Sequence, residues 1–343
     1  MKISIIFTCV GGPLMPHFLD LVSASQTHEV TIYGVDMNGE AAGKFQCREF
    51  RRMPRGDDPD YVTRMLEFAR DVGADLVWPT SDEEALALSE VRDQFLKVGC
   101  EIAAADYETL SILVDKGGCY DALREYGVSV PDYAVAENRE DMLVVLDRIL
   151  AQDGQAVIKP NTGRGGRGVF VVDNRLSTAV IEDDRREIHA NRDDFVANYL
   201  EEAISHAPVM VMQRLQEPVF DLDMLTWKGE AVCIAPRRRV NSAVPNDGHM
   251  LVDGDDLIEL GHTIATCFKT SWLLDCDLMF DVSGVARVLE INPRPSGSVV
   301  APMTAGVPLF DDAISLFAGE KPPKREVPIG TVIRPYTSMR ALP

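Results

Sequence analysis

The sequence predicts an α/β protein in which a parallel-sheet domain precedes a larger part of mixed α and β structure. Short apolar runs alternate with helical periodicity over the first hundred residues, which is typical of a parallel sheet covered on both faces. Later in the chain, strand patterns flank a glycine-rich turn and an Asp-Val-Ser-Gly turn, which indicates hairpins. The 343 residues exceed one ordinary core, so we expect two or three domains.

The first domain is expected to span residues 1–105. Its strands are predicted at 3–7, 29–35, 76–79 and 101–104, and its helices at 16–25, 60–72 and 83–98. The apolar start of the chain is shorter than the core of a signal peptide, and Pro13 and Pro16 interrupt the segment after it. We therefore interpret it as a first strand and not as an export signal.

The second part of the chain spans residues 106–343 and begins with a helix predicted at 107–126. Gly127 and Pro131 are the signals that end this helix. Further helices are predicted at 142–151, 257–269 and 310–318, and strands at 156–159, 169–172, 209–212, 220–225, 231–235, 278–280 and 285–291. The charged segment 176–207 is predicted to be mostly helical, and its role stays open.

Composition excludes several classes of function. Hydrophobic residues make up 46% and charged residues 26% of the chain, as in globular domains, and no apolar run is long enough to span a bilayer. The net charge of −20 disfavours binding to nucleic acid and to anionic membranes. Seven cysteines without a CxxC pair suit free thiols, so we expect a cytoplasmic protein without structural zinc.

A glycine-rich loop at 161–168 follows Lys159, which lies in an apolar strand. Successive amides of such a loop form a concave anion site. The loop is not a Walker P-loop, because no Lys-Ser/Thr pair follows Gly168 and a strand comes next. An ordinary glycine-rich hairpin is the alternative, but a lysine among apolar residues needs a partner, which a phosphate oxygen would supply.

The second chemical signal is a set of acidic and amide side chains near the C-terminus. Glu290 and Asn292 alternate along one predicted strand, so their side chains point to the same face, and Asp277 opens the neighbouring strand. Two carboxylates and an amide oxygen suit Mg²⁺ ions that also hold triphosphate oxygens. A polar sheet face is the alternative, but acids among apolar residues are costly without cations.

Taken in order, these motifs resemble the ATP-grasp enzymes, in particular those related to the large subunit of carbamoyl phosphate synthetase and to biotin carboxylase. The matching segments are Asp115-Lys116, 127–131, 157–160, the glycine-rich loop, 211–215 and 289–298. The resemblance covers about residues 1–320. It implies a pre-ATP-grasp domain at 1–105 and a two-lobed ATP-grasp domain at 106–343, with a lid at about 130–212 and a metal-binding lobe at about 213–343.

The resemblance also implies which residues bind ATP. Lys116 and Lys159 would contact its phosphates, and Asp223 or Asp221 would reach the ribose. The remaining implied nucleotide residues are the lid loop (Gly163, Arg164, Gly165, Gly166 and Gly168) and the strand beside adenine (Gln213, Arg214 and Leu215). Many family members have Glu where Gln213 stands, but an amide oxygen can still accept a hydrogen bond from the adenine amino group.

The same resemblance assigns the metal and the chemistry. Asp277, Glu290 and Asn292 would hold Mg²⁺, and Arg294 would bind the transferred phosphoryl group or the substrate carboxylate. Arg294 and Lys159 are thus the predicted catalytic residues. Arg237, Arg238 and Arg239 follow a strand near the cleft; we expect Arg237 and Arg239 on one face, and which of the three enters the site stays open.

We therefore predict an ATP- and Mg²⁺-dependent ligase that activates a small-molecule carboxylate as an acyl phosphate for attack by an amine, releasing ADP and phosphate. An amino acid is among the candidate substrates, and a homodimer is left open. The alternatives are phosphorylation of carbamate or carboxylate as in carbamoyl phosphate synthase, and a nucleotide-binding protein without catalysis. A dinucleotide-binding fold is disfavoured because the GxGxxG fingerprint is absent after the first strand.

Overall fold

The computed structural model describes residues 1–163, 168–181 and 187–336, and in these residues the chain forms three β-sheets. The strands of the first sheet come from residues 2–102, those of the second from 133–213 and those of the third from 216–333. The α/β class is confirmed. The exact domain bounds stay predictions. Among the described residues, no helix is long and apolar enough to cross a membrane.

The first sheet has five strands in the order β3-β2-β1-β4-β5, all parallel. Its elements are β1 (Lys2–Phe7), α1 (Met15–Ser23), β2 (Glu29–Asp36), a 3₁₀ helix (Ala42–Gln46), β3 (Glu49–Arg52), α2 (Tyr61–Val72), β4 (Leu76–Trp78), α3 (Asp82–Glu90), α4 (Arg92–Leu96) and β5 (Glu101–Ile102). Ile5 and Phe7 contact the apolar cluster on one face and Ile6 the cluster on the other. This two-sided burial explains why the strands are apolar throughout.

Two helices predicted as continuous are each divided in the structure. The helix expected at 83–98 breaks at Val91 into α3 and α4, and the helix expected at 107–126 breaks at Asp115 into α5 (Tyr107–Val114) and α6 (Lys116–Glu125). The side chain of Asp115 accepts a hydrogen bond from the Gly118 amide at 2.7 Å and so caps α6. Lys116 is therefore the first residue of a helix and not an interior residue.

The second sheet has six strands in the order β6-β11-β7-β8-β10-β9. Its elements are β6 (Tyr133–Ala136), α7 (Arg139–Asp153), β7 (Gln155–Pro160), β8 (Val169–Asp173), β9 (Val180–Ile181), β10 (Glu187–Ala190), α8 (Arg192–Asn198), α9 (Leu200–Ile204) and β11 (Val209–Gln213). β7 and β8 pair antiparallel, as expected for strands on either side of the glycine-rich loop. The predictions for Arg164, Gly165 and Gly166 in that loop lie outside the described residues.

The prediction of a mostly helical segment at 176–207 is wrong for the described residues. Two strands, β9 and β10, precede two short helices, α8 and α9. β10 pairs with β8 in parallel, so this segment extends the second sheet at one edge. Charged residues such as Glu187 and His189 are half-buried in β10, which lies between β8 and the two-residue edge strand β9, and such a strand lacks an apolar pattern.

The third sheet has six strands in the order β16-β15-β12-β13-β14-β17. Its elements are β12 (Gln216–Trp227), β13 (Glu230–Arg239), β14 (His249–Leu251), α10 (Asp255–Phe268), β15 (Trp272–Phe280), β16 (Ala286–Asn292), α11 (Val300–Thr304), α12 (Leu309–Phe317) and β17 (Val332–Ile333). From β16 to β13, each of the four strands is antiparallel to its neighbour. An apolar cluster shared with α6, β7 and β11 covers part of this sheet and so joins it to the second.

Candidate active site

Polar side chains form two rows across neighbouring strands of the third sheet. In the first row, Arg237, Asp221, Asp277 and Glu290 are successive cross-strand partners on β13, β12, β15 and β16. In the second row, the partners are Asp223, Asp275 and Asn292. Members of the two rows are two residues apart on each strand, so all of them point to the same face of the sheet.

A β-bulge interrupts the pairing of β15 with β16 beside these rows. Asp277 pairs with Glu290 and Leu278 with Val288, so Leu289 is the extra residue. The carbonyl oxygen of Leu289 accepts hydrogen bonds from the hydroxyl of Tyr120 at 2.8 Å and from Nζ of Lys159 at 3.2 Å. The bulge therefore gives α6 and β7 a hydrogen-bonding point on the third sheet.

Two lysines reach the polar face from other parts of the chain. Lys159 lies on β7, and its Nζ donates a hydrogen bond to the carbonyl oxygen of Leu289, which is 130 positions away in the chain. Nζ of Lys116 donates to the carbonyl oxygen of Gly163 at 2.8 Å and lies 3.7 Å from Oε2 of Glu290. The lysines and the acidic strand, widely separated in sequence, thus meet at one place.

Side-chain hydrogen bonds hold Lys116 in this position. Oδ1 of Asn161 accepts from the amide of Gly117 at 2.9 Å, and Nδ2 of Asn161 donates to Asp115 at 3.0 Å. The first turn of α6 is thereby fixed to the residue that comes directly after β7. Lys116 and Lys159 consequently keep a defined spacing.

A cavity of about 460 Å³ lies over the polar face, a size suited to a small-molecule site. The predicted residues that line it are Lys116, Lys159, Gly163, Gln213, Arg214, Leu215, Asp277, Glu290, Asn292 and Arg294. Gly168 is not among the lining residues, although its neighbour Val169 is. The sequence-predicted residues are thus brought together around one space.

Of the two aspartates weighed for the ribose, only Asp221 lines the cavity. Asp223 is 1% exposed, and its oxygens accept hydrogen bonds from Nε of Arg237 at 2.6 Å and from Oγ of Ser296 at 2.8 Å. Both carboxylate oxygens of Asp223 are therefore occupied by hydrogen bonds outside the cavity. The structure does not place Asp223 where it could bind a ligand.

Of Arg237, Arg238 and Arg239, the one that lines the cavity is Arg239. Its Nε donates to both oxygens of Asp221 at 3.0 and 3.1 Å, and its Nη2 lies 2.7 Å from Oδ2 of Asp277. Arg237 lies on the same face of β13, as expected, but is fully buried. Alternation along the strand turns Arg238 to the opposite face.

Burial and neighbouring charges shift the pKa values of the central groups. Burial, reinforced by Lys116, lowers the pKa of Lys159 to about 8, although Glu290 opposes this shift. Burial opposes the ionisation of Glu290 too, but Lys116, Lys159 and Arg294 outweigh it and lower its pKa. Burial raises the pKa of Asp277 to about 7, even with Arg239 beside it. Such opposed shifts are typical of functional sites.

The carboxylates fit a divalent cation. Oxygen atoms of Asp221, Asp275 and Asp277 lie within 4.8 Å of one another. Oδ1 of Asp275 and Oδ1 of Asp277 are buried and accept no hydrogen bond, although Nη2 of Arg237 lies 3.6 Å from the former, so both atoms retain acceptor capacity for a metal ion. Hard carboxylate oxygens are the ligands that Mg²⁺ prefers. This cluster shares Asp277 with the predicted set of Asp277, Glu290 and Asn292.

Sequence reasoning missed Asp275 and Glu187. Asp275 stands two residues before Asp277, so strand alternation could have identified it if the strand had been predicted to begin at Trp272. Glu187 lines the cavity from β10 and lies 3.2 Å from Nη1 of Arg214. Burial opposes its ionisation, but His189 and Arg214 lower its pKa to about 2. No local pattern marks Glu187, because the arginine that it pairs with is 27 positions away.

Asp275 also orients Asn292. Nδ2 of Asn292 donates to Oδ2 of Asp275 at 3.2 Å, which leaves Oδ1 of Asn292 facing Nη2 of Arg294 at 3.1 Å.

We predict that Asp275→Ala raises the Mg²⁺ concentration needed for half-maximal ADP binding by about 10- to 100-fold, because loss of a residue that orients a ligand has effects of that size. Titration calorimetry at fixed ADP measures it.

The matched control for this prediction is Asp256→Ala, which removes an exposed aspartate from the first turn of α10. It is expected to leave the Mg²⁺ requirement unchanged. If Asp275→Ala binds ADP with the same Mg²⁺ dependence as this control, Asp275 does not orient Asn292.

Comparison with protein families finds two matches in different parts of the chain. Residues 205–338 match the model described as ATP-grasp in the biosynthetic pathway with Ter operon, and residues 17–103 match the PylC-like N-terminal domain. Among curated proteins, the arginine-specific large chain of carbamoyl phosphate synthase from Bacillus subtilis is 23% identical over 238 residues, 65% of this chain. The match spans about a fifth (21%) of that relative's length.

Solved structures give the same fold. The biotin carboxylase domain of the Hydrogenobacter thermophilus 2-oxoglutarate carboxylase, solved as a dimer with MgADP, ADP and bicarbonate, matches 96% of this chain and 73% of its own at 15% identity and a TM-score of 0.70. The N5-carboxyaminoimidazole synthetase of Staphylococcus aureus, solved with ADP, matches 94% and 79% at 14% identity and a TM-score of 0.69. At these identities the structural matches establish the fold alone.

Proposed function

We propose that this chain, which carries an ATP-grasp domain preceded by a PylC-like N-terminal domain, is an ATP- and Mg²⁺-dependent carboxylate–amine ligase. The observation that supports the proposal is the meeting of Lys116 and Lys159 with Asp277, Glu290 and Asn292 around one cavity. The solved relatives crystallised with ADP, one of them with magnesium, support the same choice of nucleotide and metal.

Phosphoryl transfer needs positioned reactants and cations near the phosphoryl oxygens, and little covalent help from the protein. Lys159 and Lys116 would supply ammonium groups to the phosphates, and Arg294 would hold the oxygens of the acceptor carboxylate. Mg²⁺, held by Asp277, Glu290 and Asn292, would neutralise charge on the phosphate oxygens when bound. Depression of the Lys159 pKa by burial would be relieved when an anionic phosphate takes its place beside the ammonium.

The proposed reaction has two steps. An oxygen of the substrate carboxylate attacks the γ-phosphorus, the bond to the β-phosphate oxygen breaks, and ADP leaves. The nitrogen of the amine then attacks the acyl carbon, the bond to the phosphate oxygen breaks, phosphate leaves, and the nitrogen gives up its excess proton. The acyl phosphate must be kept from water between the steps, and the family resemblance gives this role to the loop joining β7 to β8.

Adenine would lie beside the turn from β11 to β12. Gln213, Arg214 and Leu215 line this end of the cavity, and Leu215 is 4% exposed. Arg214 forms an ion pair with Glu187, so β10 is joined to the turn at this end of the cavity. An apolar wall with a few fixed polar groups suits a purine base.

Incubation of the full chain with ATP, Mg²⁺ and a panel of amino acids and amines is expected to release ADP and phosphate in a substrate-dependent manner. Chromatography of the nucleotides separates this outcome from AMP and pyrophosphate release, which would contradict an acyl phosphate route. ADP release that depends on bicarbonate, and not on an amino acid, would favour the carbamoyl phosphate synthase alternative. Nucleotide binding without turnover on any substrate would favour the non-catalytic alternative.

A further inference from the structure

An ion pair joins the candidate active site to the part of the chain that forms the first sheet. Oδ1 of Asp82, in the first turn of α3, lies 3.1 Å from Nε of Arg294, which follows β16. Both side chains are mostly buried, Asp82 at 16% and Arg294 at 12% exposure. Asp82 lies in the segment that matches the PylC-like N-terminal domain, and Arg294 in the segment that matches the ATP-grasp model. The pair is therefore a contact between the two matched parts of the chain.

All three nitrogens of the Arg294 guanidinium have a contact. Nη1 donates to the carbonyl oxygen of Pro295 at 3.2 Å, and Nη2 donates to Oδ1 of Asn292 at 3.1 Å. Asp82 contacts the third nitrogen, Nε, from a different element. Nε and Oδ1 of Asp82 are both buried and make no hydrogen bond among the described residues, so this third contact acts through charge. Because the guanidinium is planar, contacts at all three nitrogens restrict the orientation of its plane.

Asp82 is the carboxylate that stabilises the charge of Arg294 most. Burial opposes the charged form of this arginine, but neighbouring carboxylates outweigh burial and raise its pKa, with Asp82 ahead of Asp275, Glu290 and Asp277. The last three belong to the polar face that forms the candidate metal site, where a divalent cation would engage them. Asp82 stands outside that face, so it is the counterion of Arg294 that the metal does not use.

Hydrogen bonds at the start of α3 hold Asp82 in place. Oγ of Ser81 accepts from the Glu84 amide at 3.4 Å and donates to Oε2 of Glu84 at 2.8 Å, so it caps the helix. The same Oε2 atom accepts from Oγ1 of Thr8 at 2.5 Å, and Thr8 comes directly after β1. The buried carboxylate of Glu84 thus attaches the first turn of α3 to the first sheet. This attachment limits the movement of the backbone that carries Asp82.

The packing does not require this ion pair to attach the first sheet to the third. One apolar cluster already contains residues of both sheets and of α12. Within it, the ring of Trp78 on β4 lies 5.6 Å from that of Trp272 on β15 and 5.1 Å from that of Phe310 on α12, between centroids. A buried ion pair adds little net stability compared with such apolar contacts, because both charges lose their hydration. The effect expected of the pair is therefore on the orientation of Arg294.

We propose that Asp82 is a positioning residue that acts through Arg294: its carboxylate holds the guanidinium in the orientation that binds the oxygens of the acceptor carboxylate. The proposal rests on the ligase function and adds that the N-terminal part of the chain completes the active site through this residue. Phosphoryl transfer depends on the placement of the groups around the reacting oxygens, and a displacement of about 1 Å can reduce a rate by about 100-fold. Binding of ATP is assigned to other residues, among them Lys116 and Lys159, so it is expected not to depend on Asp82.

The experiment measures ADP release by the full chain from ATP and Mg²⁺ with a mixture of amino acids and short primary amines. Asp82→Asn is expected to lower the rate at saturating ATP by about 10- to 100-fold and to leave the KM for ATP unchanged, because the loss falls on the transition state. Asp82→Ser is a second variant in case Asp82→Asn does not fold, since serine is favoured at helix starts. Glu90→Gln, which removes an exposed carboxylate from the end of the same helix, is the matched control and is expected to keep the unaltered rate.

A double variant separates positioning from a structural role. If Asp82 acts through Arg294, Asp82→Asn lowers the rate little further in a chain that already carries Arg294→Ala. The proposal is overturned if the Asp82 variants release ADP as fast as Glu90→Gln, if their effect falls on the KM for ATP and not on the rate, or if the two losses multiply in full. Loss of folding in both Asp82 variants, measured by circular dichroism, would make the residue structural and overturns it too. Failure of the ligase function has a different signature, because the unaltered chain then releases no ADP with the mixture.

Discussion

Glu290→Gln is expected to reduce ADP formation by about 100- to 1000-fold, the range found when one group that stabilises developing charge is removed from an active site. Glutamine preserves the shape of the side chain and its place opposite Asp277 on β15, so the fold should be retained. The substitution removes a carboxylate 3.7 Å from Nζ of Lys116, which is also one of the predicted Mg²⁺ ligands. A coupled assay for ADP, with substrate and Mg²⁺ at saturation, measures the loss.

Glu230→Gln is the matched control for this prediction, because Glu230 begins β13 in the same sheet and is exposed to solvent. It is expected to form ADP at the unaltered rate. If the Glu290→Gln chain forms ADP as fast as the Glu230→Gln chain, the proposal that Glu290 belongs to the metal site is contradicted.

A double variant tests whether the lysine and the acidic strand act together. Lys159→Met alone is expected to reduce ADP formation as strongly as Glu290→Gln, and the combination is expected to cost little more than either. Groups that serve one reaction step as a unit show such non-additive losses. Two losses that multiply in full would indicate that Lys159 and Glu290 act independently.

The second large effect is expected on stability. Arg237 is 0% exposed, and its guanidinium lies 2.9 Å from Asp221, 2.6 Å from Asp223 and 3.6 Å from Asp275. Arg237→Met is expected to lower the free energy of unfolding by about 3–5 kcal/mol, because it leaves buried carboxylates without their cation. Such a loss is a large share of the about 5–15 kcal/mol typical of folded domains. Chemical denaturation followed by circular dichroism measures it.

The pH dependence of this variant is determined by Asp221. Burial opposes the ionisation of Asp221, but Arg237 and Arg239 outweigh burial and hold its pKa below the usual range. A carboxyl group with a lowered folded pKa stabilises the fold above its unfolded pKa of about 3.9, and this contribution is lost as the pH falls through the folded value. The stability difference between the unaltered chain and Arg237→Met is therefore expected to be largest near neutral pH and to narrow below about pH 4.

The control for this pair of predictions is Arg55→Met. Arg55 lies 3.0 Å from Asp57, but both side chains are mostly exposed, so its loss is expected to leave the free energy of unfolding nearly unchanged. Arg237→Lys, which keeps the charge but not the forked geometry, is expected to fall between the two. Equal stability of Arg237→Met and Arg55→Met would mean that the buried arginine is not needed to balance the carboxylates.

Local patterns in the sequence predicted the parts of the site that depend on the alternation of side chains along a strand or on a charged residue within an apolar run. Glu290 and Asn292 are two residues apart on one strand, and the apolar run around Lys159 marks it as a lysine that needs a partner. The family prediction, drawn from these motifs in order, is confirmed by the ATP-grasp and PylC-like matches and by the shared fold. The role of each individual residue stays a prediction.

Other features depend on contacts that no local pattern records. Asp275 lies in a strand whose acids are tolerated because Arg237, 38 positions earlier in the chain, approaches from β13. The helix break before Lys116 arises because Asp115 caps α6 and bonds to Asn161 in another element. The segment that forms β10 was predicted as helix because its own sequence has no strand pattern. Its extended form depends on pairing with β8 in the sheet.

The extra residue at Leu289 has a consequence for any attempt to compare or redesign this chain. Deleting it would make the ladder between β15 and β16 regular and would leave Glu290 opposite Asp277, so Glu290 and Asn292 would keep their face of the sheet. The same deletion would withdraw the carbonyl that receives Tyr120 and Lys159. A single-residue gap at this point in an alignment is therefore not neutral, because it removes the acceptor through which α6 and β7 bond to the third sheet.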